Sequence, residues 1–542
     1  MPSRELRTYL GPVDRSVYGA LHLPPTRVVT GTVLLVPPLA EERTDALRGL
    51  RRLADELAGR GLAVLRFDYY GTGDSADEPG RPDAVAAWAD STRIAADYLR
   101  GFGAGEPAVV ALRAGALVAA EAGLAPPALV LWDAVFRGRT FTRQQAALAA
   151  LALDAPTGEE LEPHTWLGLT IAPAAVRDLS ALTAYSLTSP RTLVAARVGA
   201  EQPVDGAMRI TVDGMEEFLS PADHLVRLPD RAIDDIAQWL ADAAPRCEPV
   251  TVIPEIRTEA RFETAEGSVL ERIESLGEAA AIRSLPAAGD PPARSITLCA
   301  TANDTRHGPN GLWVTVARGA AASGAQAVRF DRRGAGESGP VTPGEVIPLF
   351  PDTAVEDALA AAASCGPAPL LAAGICSGSW YAAHIARDRP ADAAVLVNSV
   401  LYSWRIKPAL ARPTAPGGTP ADLGVPRSDP AFARTPRGRG KDLLRRRLPY
   451  RSWERLGERG TTQVPGVLLG PVAEAGARAT VVLAPEDAAW FDAQRGPEGV
   501  ALLTGAPAPP RIVRLDTGDH AGYHPDVRAA ASAAILHWCR QR

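Results

Sequence analysis

The chain has 542 residues, more than one hydrophobic core comfortably serves, so two domains are expected. Apolar residues make up 46% and charged residues 22%, and the net charge of −6 excludes any overall pull toward nucleic acid or a membrane surface. The five cysteines are scattered without metal-ligand spacing, the start MPSRELRTYL lacks an apolar signal core, and no apolar run nears the ~18 residues of a membrane span; these point to free thiols in the cytoplasm and to no metal or other cofactor.

In chain order, the apolar run TVLLV (32–36) predicts a strand. The stretch DALRGLRRLADELAGRG (45–61) repeats its apolar residues near every 3.6 positions and predicts a helix. AVLRFDYYGTGDS (63–75) reads as a second strand running into a glycine turn. A helix, a strand, a tight turn at Ala111-Leu112-Arg113-Ala114-Gly115, another helix and the strand LVLWDAV (129–135) follow. An insertion at 137–190 holds FTRQQAALAALALDAP, suited to a lid helix or to a contact between halves. DHLVRLPD (223–230) carries His224.

The order then repeats. AVRFDRRGAGES (327–338) matches the first strand and glycine turn, with Phe67-Asp68 and Phe330-Asp331 lying 263 residues apart. The same offset carries TVLLV onto SITLC (295–299), Arg113 onto Cys376 and Gly115 onto Gly378. After a two-residue shift LVLWDAV aligns with AVLVNSV (394–400). We read two homologous domains, 1–246 and 247–542, joined near DAAPRCEPV (242–250). Alternating strands and helices predict in each a mostly parallel sheet flanked by helices, with site-forming loops at the strand C-terminal ends. The turn from Asp331 to Ser338 reads as architecture.

RFDRRGAGES, GICSGS and DTGDHAGYHP resemble the α/β-hydrolase superfamily. More narrowly, both halves are similar to its serine-aminopeptidase-like branch and to the hydrolase-type proteins found beside bacterial exosortase and exopolysaccharide systems. The resemblance covers most of both halves and implies two tandem α/β-hydrolase-fold domains, the second with the larger cap insertion. It implies a hydrolase and leaves the substrate open.

In the window Gly374-Ile375-Cys376-Ser377-Gly378, a strand-to-helix elbow needs small residues two before and two after its apex. Cys376 meets that condition. Ser377 would need Ile375 and Ser379 there, which fit badly. Ser377 then offers its backbone N–H to an oxyanion, and a second donor is expected from Ala302 or Asn303 in ATANDTRHGPNG. Asp304 and Arg306 are placed either at the mouth of the site or in a solvated loop. A helix start and an imidazole would favour the thiolate. Cysteine also stands at this position in relatives such as dienelactone hydrolase.

The resemblance places the acid at the strand end within ATVVLAPEDAAWF (479–491), at Asp487 with Glu486 as the alternative, and the histidine at His520 in RIVRLDTGDHAGYHP (511–525). His524 is expected at the surface or in a loop, His384 as structural, and His307 as a weak rival. In the first half Arg113 is no nucleophile. That half is expected to be structural or substrate-shaping, or to grip a carboxylate or phosphate through an exposed Arg113.

Residues 402–478 form the cap, rich in Pro and Gly at first. Within it, RTPRGRGKDLLRRRLPYRSWERLGERG (434–460) sets ten basic residues against three acidic ones. This is either a solvated helix face or a docking surface for an acyl-carrier protein, a coenzyme A thioester or an anionic glycan; no nucleic-acid motif is present. Two functions compete: acyl transfer through a Cys376 thioester, possibly in bacterial natural-product or polysaccharide biosynthesis, and a non-catalytic duplicated scaffold that binds a carrier or a small ligand.

Overall fold

The computed structural model describes residues 4–541 apart from 154–163, 201–202, 220–224, 290, 302–303, 390 and 407–435. Its contacts divide the chain into two units, Met1–Glu274 with Pro340–Glu345, and Ser275–Gly339 with Val346–Arg542.

The first unit contributes β1 (Arg4–Leu10), β2 (Val17–Leu23), β3 (Val28–Val29), β4 (Thr32–Val36), β5 (Ala63–Phe67), β6 (Ala108–Leu112), β7 (Leu129–Trp132), β8 (His164–Trp166), β9 (Leu169–Ile171), β10 (Thr192–Ala196) and β11 (Met208–Thr211). Eight of these form one sheet in the order β1-β2-β5-β4-β6-β7-β10-β11. β1, β2 and β5 pair antiparallel, and the strands from β5 to β11 are parallel neighbours. The central strands β4, β5, β6 and β7 are buried at every position, which is why they read as continuous apolar runs rather than alternating ones. Helix Glu41–Gly59 lays Leu50, Leu53 and Leu57 on one face, beside Ile233, Ile236 and Leu240 of helix Asp230–Ala243.

The chain continues with β12 (Val250–Thr251), β13 (Glu259–Thr264), β14 (Gly267–Leu276), β15 (Ala279–Pro286), β16 (Ser295–Cys299), β17 (Gln326–Phe330), β18 (Leu370–Ile375), β19 (Ala393–Val397), β20 (Arg478–Leu483) and β21 (Arg511–Arg514). The second sheet runs β13-β14-β15-β17-β16-β18-β19-β20-β21, again parallel from β17 onward. The segments β5-β4-β6-β7-β10-β11 and β17-β16-β18-β19-β20-β21 therefore follow one order. Both are α/β-hydrolase-type sheets flanked by helices. In the second, Ile296, Leu298, Val316, Ile375, Val395 and Ile535 share one core.

The turns after β5 and β17 have the same internal design. Ser75 Oγ donates to Asp68 O at 2.7 Å, and Ser338 Oγ donates to Asp331 O at 2.6 Å. The backbone N–H groups of Asp74 and Glu337 each donate to the turn's aspartate at 3.0 Å. A Cβ at Gly336 (φ 50) would collide with the Asp331 carboxylate, so glycine is required where the turn folds over it. Asp331 serves the fold.

After β19 the described part of the cap forms helices Pro436–Arg447, Tyr450–Glu458 and Pro465–Glu474. Tyr450, Trp453, Val464 and Val467 make a small cluster of their own. Trp404 Nε1 donates to Val467 O at 2.7 Å, and Trp380 Nε1 donates to Ser403 O at 2.9 Å. The first bond holds the cap together, and the second ties it to helix Ser377–Asp388. Among the described residues no helix is long and apolar enough to cross a membrane.

Candidate active site

β18 ends at Ile375 and helix Ser377–Asp388 begins at once, with Cys376 between them at φ 52, ψ −116. A non-glycine residue held there is strained, and the strain is imposed by the crowding around it. A Cβ at Gly374 would run into the carbonyl of Gly378, and one at Gly378 into the carbonyl of Cys299. The Cys376 N–H is held by Val397 O at 2.9 Å. Cys376 is half-buried while its neighbours from Leu371 to Trp380 are buried, so the apex is the point of access. Ser377 is wholly buried and its Oγ lies 3.1 Å from Thr301 Oγ1.

His520 lies in the loop after β21, and its Nδ1 is 2.7 Å from Asp487 Oδ1. The Asp487 side chain is 1% exposed and that of His520 20%. Asp487 stands in the first turn of helix Pro485–Ala493, where the helix dipole favours a carboxylate; its neighbour Glu486 is exposed. With Nδ1 committed to Asp487, Nε2 is left for the thiol, and His520 and Thr301 both act to lower the Cys376 pKa. The structure thus brings Cys376, His520 and Asp487 together.

The electrostatics follow from this pairing. Burial pushes the Cys376 thiol up, but the His520 charge and hydrogen bonds from His520 and Thr301 outweigh it and bring the thiol below its ordinary range. Burial pushes His520 down, and the sulfur's charge together with the bond to Asp487 reverses this, leaving the imidazole well above its usual value. Both shifts favour the ion pair of a thiolate beside an imidazolium over the neutral pair.

Two participating residues escaped the sequence reading. Thr301 was passed over for its neighbours Ala302 and Asn303, which lie outside the described residues. Asn398, directly after β19 with φ 49, is wholly buried. Its Nδ2 donates to Asp519 O and to His520 O, both at 2.9 Å, and its Oδ1 accepts from the Ala484 N–H at 2.8 Å. The only sequence signal was its alignment with Asp133 in the repeat.

The other residues named from the sequence are placed as follows. Arg306 does not line a mouth: it is 1% exposed, with its guanidinium 2.5 Å from Asp331 and 3.0 Å from Glu337. Asp304 accepts from the Thr305 N–H at 2.8 Å within the same loop. His524 is buried rather than at the surface. It caps helix Pro525–Arg540 by accepting from the Asp526 N–H, while its own N–H donates to Asp519 at 2.7 Å. His384 sits between Trp380 and Trp404, ring centroids 4.2 and 4.8 Å away, and burial lowers its pKa to about 4. His307 pairs with Thr305 Oγ1 at 2.7 Å.

In the first unit Arg113 has φ 52, the value found at Cys376. Gly115 meets Val36 O and Pro37 O as Gly378 meets Cys299 O. The Arg113 side chain is not exposed at an apex. It is buried, bonded to Glu42 at 3.0 Å and to Asp133 at 3.1 Å, and Asp133 also takes Arg197 at 2.6 Å. An external carboxylate or phosphate would have to displace these partners. His224 lies outside the described residues.

No protein-family model matches the chain, and no curated protein matches it. Solved structures similar to it include a dienelactone hydrolase from Anabaena variabilis, at 10% identity, 50% of this chain, 96% of that one and a TM-score of 0.29. TT1662 from Thermus thermophilus is 13% identical over 51% of this chain and 99% of its own, TM-score 0.30. An esterase from the archaeon Pyrobaculum calidifontis is 17% identical over 52% and 84%, TM-score 0.28. Each spans about half of this chain.

Proposed function

We propose that the second half of the chain, 247–542, is an acyl-transfer enzyme and that the first, 1–246, is a duplicated copy without chemistry of its own. The observation that carries this reading is the 2.7 Å bond from His520 Nδ1 to Asp487 at a site where Cys376 stands at the apex of a strained elbow. The Cys376 thiolate attacks the carbonyl carbon of an ester, thioester or amide and forms a C–S bond. The negative charge moves to the carbonyl oxygen, where the N–H of Ser377 at the helix start is one donor; Ala302 or Asn303 is proposed for the second. His520 gives its proton to the departing oxygen, sulfur or nitrogen as that bond breaks, leaving a thioester on Cys376. Water or another acceptor then attacks, His520 takes its proton, and the thiolate leaves with the bonding pair. Asp487 holds the ring through Nδ1 and stabilises the imidazolium.

Delivery of the acyl group on an anionic carrier, an acyl-carrier protein or a coenzyme A thioester, is the finer proposal. Arg447, Arg451, Arg455 and Arg459 are exposed at four-residue spacing along the described cap, in a chain that is acidic overall.

Intact-mass labelling tests the reading. With chloroacetamide, Cys376 is expected to react at least ten times faster at pH 7 than Cys247, and His520→Ala is expected to remove that advantage. Equal rates at the two cysteines, with ester and thioester turnover unchanged in Cys376→Ala, would leave the scaffold function in its place.

A further inference from the structure

We propose that Asn398 is the positioning residue of this site: its carboxamide joins the backbone of the His520 loop to the strand end that presents Asp487. The inference rests on the catalytic reading above and names the residue on which the alignment of its parts depends.

The carboxamide uses both of its donors and one of its two acceptor positions. Both Nδ2 hydrogens go to carbonyl oxygens, of Asp519 and His520, and Oδ1 receives the Ala484 N–H, in bonds of 2.8 to 2.9 Å. The polarity admits one orientation. A flipped amide would set oxygen against two carbonyls and NH2 against an N–H. Ala484 caps the helix that carries Asp487. One buried side chain therefore spans β19, the end of β20 and the loop after β21. Asp487 grips the His520 ring, while Asn398 grips the main chain on which the ring is mounted. The backbone at Asn398 is itself fixed, with φ 49 and its N–H donating to Val482 O at 2.9 Å.

The first unit shows what the position does when those carbonyls do not face it. Asp133 follows β7 with φ 45, and its N–H donates to Ala195 O at 2.7 Å, so its backbone is placed as at Asn398. Its carboxylate instead takes the guanidiniums of Arg113 and Arg197. A carboxylate is an acceptor only. At position 398 it would confront two carbonyl oxygens and push the His520 loop away from Cys376.

Among the described residues, the titratable groups facing the Cys376–His520 pair are Asp487 from helix Pro485–Ala493 and Tyr381 from helix Ser377–Asp388. The Tyr381 phenol is kept neutral by burial and donates to Leu349 O at 2.5 Å. The pH response of Cys376 therefore reports its distance from His520.

The test is the pH profile of Cys376 alkylation by chloroacetamide, read by intact mass, in wild type, Asn398→Asp and Asn398→Ser, with circular dichroism to verify folding. In wild type the half-point is expected well below the ~8.5 of an ordinary thiol. Asn398→Asp is expected to move it up by about one to two units and to slow alkylation at pH 7 roughly ten- to a hundredfold. Asn398→Ser, which keeps a single hydroxyl donor, should fall between the two and carries the test if the aspartate variant does not fold. Folded variants that retain the depressed wild-type half-point would overturn the positioning role alone. A wild-type half-point near the ordinary value would overturn the catalytic reading and this inference with it.

Discussion

At the scale of single residues, the site is a problem of keeping one proton on the right atom. Cys376 and His520 compete for it, and the ring is favoured because the His520 charge lowers the thiol while Asp487 supports the imidazolium. Thr301 contributes a neutral donor to the sulfur. A hydrogen bond to a charged group is worth about 1.5–3 kcal/mol, or roughly one to two pKa units. Thr301→Val should therefore raise the half-point of Cys376 alkylation by that amount, and Thr301→Ser should restore it. The direction is fixed: removing a donor to the thiolate favours the thiol, so reactivity at neutral pH falls. Arg306 teaches the opposite lesson. A charged residue in a loop facing the strand ends looked like a substrate contact, yet its carboxylate partners Asp331 and Glu337 lie 25 and 31 positions further on and bury it.

Among elements, the decisive one is the junction of β18 with helix Ser377–Asp388. Its tightness rests on Gly374 and Gly378, whose missing Cβ atoms let strand and helix backbones touch each other and the end of β16. Gly378→Ala would drive a methyl group into Cys299 O, a backbone atom that cannot swing aside as a side chain does. The chain is expected to relieve this by shifting the helix start, which moves Cys376 relative to His520. Alkylation of Cys376 at pH 7 should fall by an order of magnitude or more while far-ultraviolet circular dichroism is retained. The elbow was legible beforehand because its constraint is local: five residues and two glycines. The cap was legible only as an insertion with a basic stretch. The anchoring of Trp404 to Val467 and of Trp380 to Ser403 needs pairs that sequence spacing does not mark.

For the molecule as a whole, one sheet order is used twice, and the two nucleophile positions differ in what fills them. The second unit presents a half-buried cysteine at this position. The first closes the same backbone turn with a guanidinium held by Glu42 and Asp133. Burial raises the Glu42 pKa, and the Arg113 charge opposes this. Removing the cation leaves Glu42 buried without it, and breaking such a pair typically costs about 3–5 kcal/mol. Arg113→Met should therefore lower protection of β6 and β7 by that order, measured by hydrogen exchange resolved to peptides. Unchanged protection would mean that Arg197 alone satisfies the cluster.

The sequence by itself determined the alternation of strands and helices, the repeat at an offset of 263, and the elbow with its apex at Cys376. These depend on periodicity and on steric limits between near neighbours, which any stretch of chain carries within itself. It also named Asp487 and His520 as partners without a distance between them. Only the tertiary structure decided that Glu486 faces outward, that Arg306 and His524 are structural, that Arg113 is locked, and that Thr301 and Asn398 touch the site. Those outcomes are set by hydrogen bonds and ion pairs between residues far apart in the chain. Such pairs have energies of a few kcal/mol only once folding has removed water from around them.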